Sequence, residues 1–482
     1  MFFTSGAVLV LEILAGRLLA PYVGVTLQTY TGIIGVVLAG IAVGTWAGGR
    51  LADRVDPRTT LGPLLVTGGA LALFVLPAIR LFGSAGLGTG PGAILILSVV
   101  GFFAPAAVLS AVSPTVVKLQ LTDLRVTGSV VGRLSALGTA GAILGTFLTG
   151  FFLVAAFPTR PIVLGVGVVL VVTGILVWLS LRGAGGAAPA GPMALAVLGA
   201  GLTFAVPGPC DYETTYYCAQ VIDGLPPCDE GRTLYLDTLR HSCVHLDDPT
   251  ALDFSYAQIL ADVIGTYGDG QSPLRALHIG GGGFTMPRYL EATRPGSDSL
   301  VLEIDPSLVR IAEEELGLRQ TERLRVRVGD ARVALSDLEH ETYDVVIGDA
   351  FGGEAVPWHL TTAEFVDEVK DVLMPDGVYA VNVIDMPPLD FVRAKAATLR
   401  SAFSHVAVIA PPARINRMDG GNFVLVASDA PLEVEGIAAR NRARGDDDEV
   451  ATGARLDRFI GAAPVLTDDY APVDQLLTPL SG

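Results

Sequence analysis

The sequence predicts an α-helical transmembrane bundle of about seven spans, followed by a small β-domain and a doubly wound α/β domain. Three observations carry that expectation. The mean hydropathy is +0.53, and only 17% of the 482 residues are charged, too apolar for an ordinary soluble protein. Hydrophobic runs of spanning length recur through roughly the first two hundred residues. From residue 275 onward, short β-branched runs alternate with amphipathic stretches. These changes of pattern divide the chain into a multi-pass membrane domain at 1–206, a small β-subdomain at 207–262, the α/β domain at 263–435 and a C-terminal extension at 436–482.

The apolar runs lie near 3–22, 28–48, 60–82, 92–117, 131–157, 161–181 and 190–206. A helix needs about 20 residues to cross a bilayer. The opening "MFFTSGAVLVLEILAGR" has no basic n-region, so no cleavable signal peptide is expected. Arg50, Arg54 and Arg58 follow the second run, Lys118 and Arg125 the fourth, and Arg182 the sixth; the intervening loops hold only Arg160. Lys and Arg collect on the cytoplasmic side, so even-numbered spans end inside and a seventh delivers residue 207 outside. Glu12 and Arg17 fall in the first run, where an ionisable group is costly. They mark either a substrate path or a mutual pair. Pro105 and Pro114 interrupt the fourth run and read as kinks.

Charge and cysteines describe the second half. Residues 1–206 hold ten Lys/Arg and four Asp/Glu, leaving 22 basic and 45 acidic residues beyond them. So acidic a surface argues against nucleic acid as a partner and suits a cationic substrate. Solubility alone accounts for it equally well. Cys210, Cys218, Cys228 and Cys243 cluster just after the membrane half. An even, clustered set fits disulfides in an oxidising compartment, which agrees with an extracytoplasmic domain. No C-x2-C knuckle is present, so a four-thiolate zinc site is not expected and no metal is assigned.

In the α/β domain, "RALHIGG", "SLVLEID", "RVRVGD", "YDVVIGD", "GVYAVNVID", "HVAVIA" and "NFVLVAS" read as strands with helical stretches between most of them. This predicts a largely parallel sheet, whose ligands sit at the carboxyl ends of the strands. There Gly280, Gly281, Gly282 and Gly283 let backbone approach a ligand. Glu303 ends the second strand, 23 residues after Gly280, where a carboxylate can take both hydrogen bonds of a ribose diol. Asp330 ends the third, where it can hold the exocyclic amine of adenine, and Asp349 ends the fourth, where the chemistry sits. A single strand-end Asp is more often a cap or turn former. Four such features in order point to an adenosyl ligand. The loop is GGGG rather than GxGxxG and no second nucleotide-binding half follows, which separates the chain from a dehydrogenase.

Through "IGGGG", "LEIDP", "VGDAR" and "YDVVIGDAF" the chain resembles the polyamine aminopropyltransferases, the spermidine synthase family. The membrane half with "GGRLADR" and the tail "LTDDYAPVDQLL" look like its bacterial membrane-fused members. The resemblance implies a methyltransferase-like (Rossmann-type) fold and transfer of an aminopropyl group from decarboxylated S-adenosylmethionine to a polyamine such as putrescine. It implies no permanently bound cofactor. By it, Gly280, Gly281 and Gly282 border the donor, Glu303 holds its ribose, and Asp330 with Ala331 holds its adenine. Asp349 is then the general base, Tyr256 in "DFSY" positions the amine, and Tyr217 and His241 stand where the family has pocket-lining glutamines. A carboxylate is required because an ammonium must lose its proton before it can attack carbon. The family also forms dimers or larger assemblies, which implies a homo-oligomer.

Two carboxylates of the family pattern are missing. Its glycine loop reads GGGDG, where this chain has Gly283 and Phe284. Its base is followed by DSSDP, where "DAFGG" puts Gly352. Glu354 and Asp385 are the candidates to replace them, and His359 in "VPWHLTT" is a further pocket candidate more often structural in such a setting. Two other readings stay open: a methyltransferase using S-adenosylmethionine itself, and a membrane transporter or sensor that binds a nucleoside or polyamine without catalysis. For sidedness, a membrane-impermeant thiol reagent should label Cys210 to Cys243 in intact cells only after an impermeant reductant. Labelling that needs lysis would place the domain inside.

Overall fold

The computed structural model describes residues 1–482 except 122, 124, 126, 182–187, 353–355 and 479–482. Arg182 and Glu354 therefore lie outside the described residues. The chain forms two compact units, Met1–Cys218 and Ala219–Gly482.

In the first unit six helices are long and apolar enough to cross a membrane: Phe2–Val23, Leu27–Arg54, Pro57–Gly83, Pro91–Gln120, Thr127–Ala156 and Thr159–Leu181. The seventh expected span is a shorter apolar helix, Ala190–Ala205. Its 16 residues rise about 24 Å, less than the ~30 Å hydrocarbon core. Helix starts follow local chemistry, as where Asp56 accepts from the Arg58 amide at 2.9 Å just before Pro57. Small residues let backbones meet: a Cβ added at Gly44 would collide with the Ala107 carbonyl. Pro105 lacks the N–H that would bond the fourth residue before it, and a π-helical turn at Val99–Phe103 precedes it.

Lys118 pairs with Asp53 at 3.0 Å, joining the ends of the second and fourth helices. The opposite ends gather around a different pair. Arg17 donates to the carbonyls of Val154 (3.2 Å) and Thr214 and lies 3.8 Å from Glu213. Glu213, on a two-residue strand β1 (Tyr212–Glu213), accepts from the Thr159 amide at 2.6 Å. Arg80 reaches the Val206 carbonyl at 2.7 Å. Of the alternatives the sequence left for Arg17, the described contacts give it acceptors at Glu213, Val154 and Thr214, because the chain returns to the Arg17 end after the last helix.

The second unit opens with an antiparallel meander of β2 (Cys218–Leu225), β3 (Cys228–Leu236) and β4 (Leu239–Val244). The disulfides are Cys210–Cys218 and Cys228–Cys243. An eight-stranded sheet follows, built from β5 (Arg275–Ile279), β6 (Asp298–Glu303), β7 (Leu324–Val328), β8 (Tyr343–Gly348), β9 (Leu373–Asp385), β10 (His405–Ala410), β11 (Gly421–Ser428) and β12 (Glu449–Ala451). Its order is β12-β10-β11-β9-β8-β5-β6-β7. From β7 to β9 neighbouring strands run parallel; β11, β10 and β12 add antiparallel pairs. The sheet is therefore mixed rather than largely parallel throughout. Residues 411–420 between β10 and β11 hold one four-residue helix, Pro412–Ile415, too little chain for the crossover a parallel pair needs.

Both faces are covered. Leu277, Val346 and Val381 pack with Phe365 and Phe391 on one side. Ala276, Val345 and Ile347 pack with Leu260 and Val263 on the other. Two buried faces explain strands that read as continuous apolar runs. At the end of β9, Asp385 is fully buried. Its carboxylate accepts from the amides of Met386 (2.9 Å), Phe391 and Val392 (each 3.0 Å) and Thr478 (3.1 Å). It holds the start of the helix Asp390–Ala402 and the C-terminal tail, and is not a substitute acid for an amine. Asp385→Asn should destabilise the second unit by about 2–4 kcal/mol, since an amide N–H₂ would face backbone donors. Urea unfolding of the full chain followed by a probe in this unit measures it.

Candidate active site

The sheet order reverses between β5 and β8, so their carboxyl ends open a crevice. The Asp349 amide donates to the Ile279 carbonyl at 2.8 Å and ties the two ends together. Gly280 must then turn sharply, with φ +95°, and a Cβ there would stand 2.5 Å from the Asp349 carbonyl oxygen. No other residue fits that approach without displacing the strand end.

Glu303, 4% exposed at the end of β6, organises this loop. One carboxylate oxygen accepts from the Gly281 amide at 2.7 Å and the Gly282 amide at 3.3 Å; the other accepts from the Asp305 amide at 2.9 Å. Burial pushes its pKa up, and the backbone donors oppose that. The fourth glycine is docked differently. The Gly283 amide donates to Ser242 Oγ at 2.9 Å, and a Cβ at Gly283 would lie 2.6 Å from Ser242 Cβ. Ser242 thus fills the space where the family pattern would place an aspartate side chain.

Asp330, at the β7 end, caps the helix Ala331–Leu335. Its Oδ1 accepts from the amides of Arg332 (2.9 Å) and Val333 (3.1 Å). Its Oδ2 lies 2.9 Å from His359 Nε2. Ala331 is the first residue of that helix and is buried. Asp330, Arg332, Ser336, His359 and Glu368 line an open cleft of about 520 Å³. Arg332 is gripped there by Glu368 (2.9 Å) and by Asp468 of the C-terminal tail (2.7 Å).

Asp349 lies half-buried beyond β8. Asn382 Nδ2 donates to its Oδ1 at 2.9 Å, and Asn422 donates to Asn382 at 3.0 Å. Tyr256 also hydrogen-bonds it. Burial raises the Asp349 pKa to about 6, and these two donors pull it back. Tyr256 in turn lies 3.1 Å from the His241 carbonyl, and its phenol is pushed well above its ordinary range by burial and by Asp349. His241 packs edge-on against Phe351 with centroids 6.2 Å apart; burial lowers its pKa to about 4, so it is neutral at pH 7.

The structure therefore brings Gly280, Gly281, Gly282, Glu303, Asp349, Tyr256 and His241 to one edge, with Asp330 and Ala331 at the next strand end. Tyr217 belongs to the first unit, where its amide donates to Thr214 Oγ1 at 2.8 Å. Ser242, Asn382 and the His359–Asp330 contact were missed in the sequence. Only Asn382 carried a signal, as a polar residue inside the apolar run "GVYAVNVID".

Known proteins resemble this part of the chain. Residues 253–413 match the family model for the spermine/spermidine synthase domain. A polyamine aminopropyltransferase of Vibrio vulnificus (strain CMCP6) is 38% identical over 133 residues, covering 27% of this chain and 44% of that protein. The chain thus spans under half the length of that relative. A bovine (Bos taurus) eEF1A lysine and N-terminal methyltransferase is 29% identical over 124 residues, covering 24% of this chain and 18% of the relative. The crystal structure of a probable spermidine synthase from Corynebacterium glutamicum ATCC 13032 superposes with a TM-score of 0.50 at 28% identity, covering 57% of this chain and all of that one. Through residues 253–413, the stretch that carries these strand ends, the chain contains a spermine/spermidine synthase domain.

Proposed function

We propose that this protein is an aminopropyltransferase that moves an aminopropyl group from decarboxylated S-adenosylmethionine to a polyamine such as putrescine. The observation that carries the reading is Asp349: a carboxylate at the switch point, raised to about 6 and held by Asn382 and Tyr256, next to a glycine loop. At neutral pH it is ionised, so it can hold an ammonium and accept its proton as the amine attacks the carbon beside the sulfonium. Glu303 would take the ribose with the lone pairs its loop amides leave, and Asp330 with Ala331 the adenine. Gly280, Gly281 and Gly282 would border the donor. His241 and Tyr256 would line the acceptor side. Alignment of amine, carbon and sulfur supplies most of the rate.

One observation favours a second reading. Ser242 occupies the position beside Gly283 where the family's aspartate would meet the donor's ammonium. A site without that acid suits S-adenosylmethionine and methyl transfer. The experiment that separates the readings is incubation of the purified full chain with each labelled donor plus putrescine, followed by mass analysis. Spermidine supports the first reading and a methylated amine the second. Consumption of neither donor while an adenosyl compound binds would leave a binding module.

We place the first unit in a cell membrane with the second unit outside, and assign the protein to a homo-oligomer. The six apolar helices, the basic loops and the paired cysteines support the membrane placement. A domain on that side requires donor or product to cross the bilayer, since both donors arise in the cytoplasm.

Two outcomes follow for the site. Asp349→Asn should lower kcat by about 10²–10⁴-fold. In the parent kcat/KM should climb as pH rises through about 6, because the base works only when deprotonated; a profile flat across pH 5–7 would remove Asp349 as base. Glu303→Ala and Asp330→Ala should each weaken binding of 5′-methylthioadenosine, read by calorimetry, by about ten- to a hundredfold.

A further inference from the structure

Beside the meander, a group of side chains takes no part in the adenosyl crevice. Cys228 and Cys243 are joined by a disulfide, yet Cys243 Sγ also lies 2.7 Å from Asp253 Oδ2 and 3.7 Å from His245 Nε2. His245 and Asp253 are 2.6 Å apart. One donor atom from each of the four residues falls within 4.8 Å of all the others. Both cysteines are buried and the other two side chains nearly so, with relative exposures of 14% and 27%. Among the described residues this is the only such group of His, Cys, Asp or Glu.

An uncharged disulfide gains little from an imidazole and a carboxylate pressed against it. With two thiolates in place of the disulfide, the four residues offer the donor types that Zn²⁺ takes, Cys, His and Asp, at about 2.0–2.3 Å. The strand backbone runs close to the sulfurs: a Cβ at Gly231 would stand 2.8 Å from Cys228 Sγ and 3.2 Å from Cys243 Sγ, so glycine is the residue that lets it pass there. His245 is anchored independently, its carbonyl accepting from Arg288 at 3.0 Å.

We propose that Cys228, Cys243, His245 and Asp253 form a reduction-gated site for a thiophilic divalent cation of the Zn²⁺ class. A dithiol supplies two electrons and two protons, breaking the Cys228–Cys243 bond and leaving as a cyclic disulfide. Zn²⁺ then binds both sulfurs and releases the two thiol protons, with the His245 imidazole and the Asp253 side chain completing the shell. The purpose is legible in β4. The His241 carbonyl receives Tyr256, Ser242 receives the Gly283 amide, and the Cys243 carbonyl receives Thr285 Oγ1 at 3.2 Å. A cross-link at Cys243, covalent or through metal, keeps all three contacts seated whichever redox state the domain meets.

The test uses full chain carrying Cys210→Ser and Cys218→Ser, so that only one cysteine pair remains. It is treated with or without a phosphine reductant that does not bind zinc, and then titrated with Zn²⁺ against a chromophoric chelator. Reduced protein should bind about one equivalent and oxidised protein none at that affinity; Cys243→Ser should abolish binding and His245→Ala weaken it at least tenfold. Equal binding by oxidised and reduced protein, or binding indifferent to Cys243→Ser, overturns the proposal. Should a variant fail to fold, Co²⁺ added to the reduced double-serine chain decides. Thiolate charge-transfer and tetrahedral d–d bands are expected, and an octahedral spectrum without them rejects the site.

Discussion

The close approach of two strand ends governs the α/β unit. β5 and β8 lie side by side, so the turn after one meets the turn after the other, and Gly280 and the Asp349 carbonyl compete for the same space. Glycine at 280 resolves the collision but leaves a bend whose amides point inward, away from water. Glu303 supplies the acceptor for them. A buried carboxylate at that place is expensive unless its oxygens are met by donors, and the loop amides are those donors. Loop and acid therefore stabilise one another, and the crevice exists because neither is stable alone.

Three acids at neighbouring strand ends are consequently not equivalent. Glu303 is dry and committed to backbone. Asp330 divides itself between a helix start and His359. Asp349 meets two side-chain donors, and burial outweighs them to bring its pKa to about 6. Environment, rather than residue type, separates the carboxylate committed to backbone from the one whose pKa is raised towards neutrality. β4 contributes from outside the sheet: three consecutive residues, 241–243, each touch a different part of the site.

The helical unit solves its own electrostatic problem at one end of the bundle. Arg17 and Glu213 are far apart in sequence but meet where the last helix returns, with Thr159 donating to the same carboxylate. An arginine among apolar helices needs acceptors, and carbonyls at helix ends provide them along with Glu213. The opposite end is marked by exposed basic residues and by Lys118–Asp53.

Local pattern made much of this legible. Apolar runs of spanning length, the alternation of strands and helices, and turn-forming Gly and Asp at strand ends are signals carried by neighbouring residues. A doubly wound order then places Gly280, Glu303, Asp330 and Asp349 along one edge with little freedom. What sequence could not specify was choice of partner. That Ser242 would dock on Gly283, 41 residues away, that Asn382 would underlie Asp349, that Asp385 would be consumed by capping, and that Arg17 would meet Glu213 all depend on which distant surfaces meet. The antiparallel pairing of β11 with β9 and β10, and of β12 with β10, has the same origin, because a short connection dictates pairing only once the sheet edge it reaches is known. Periodicity and turn chemistry are properties of adjacent residues and are written in the chain, whereas partner identity is a property of packing and is decided only when the chain closes on itself.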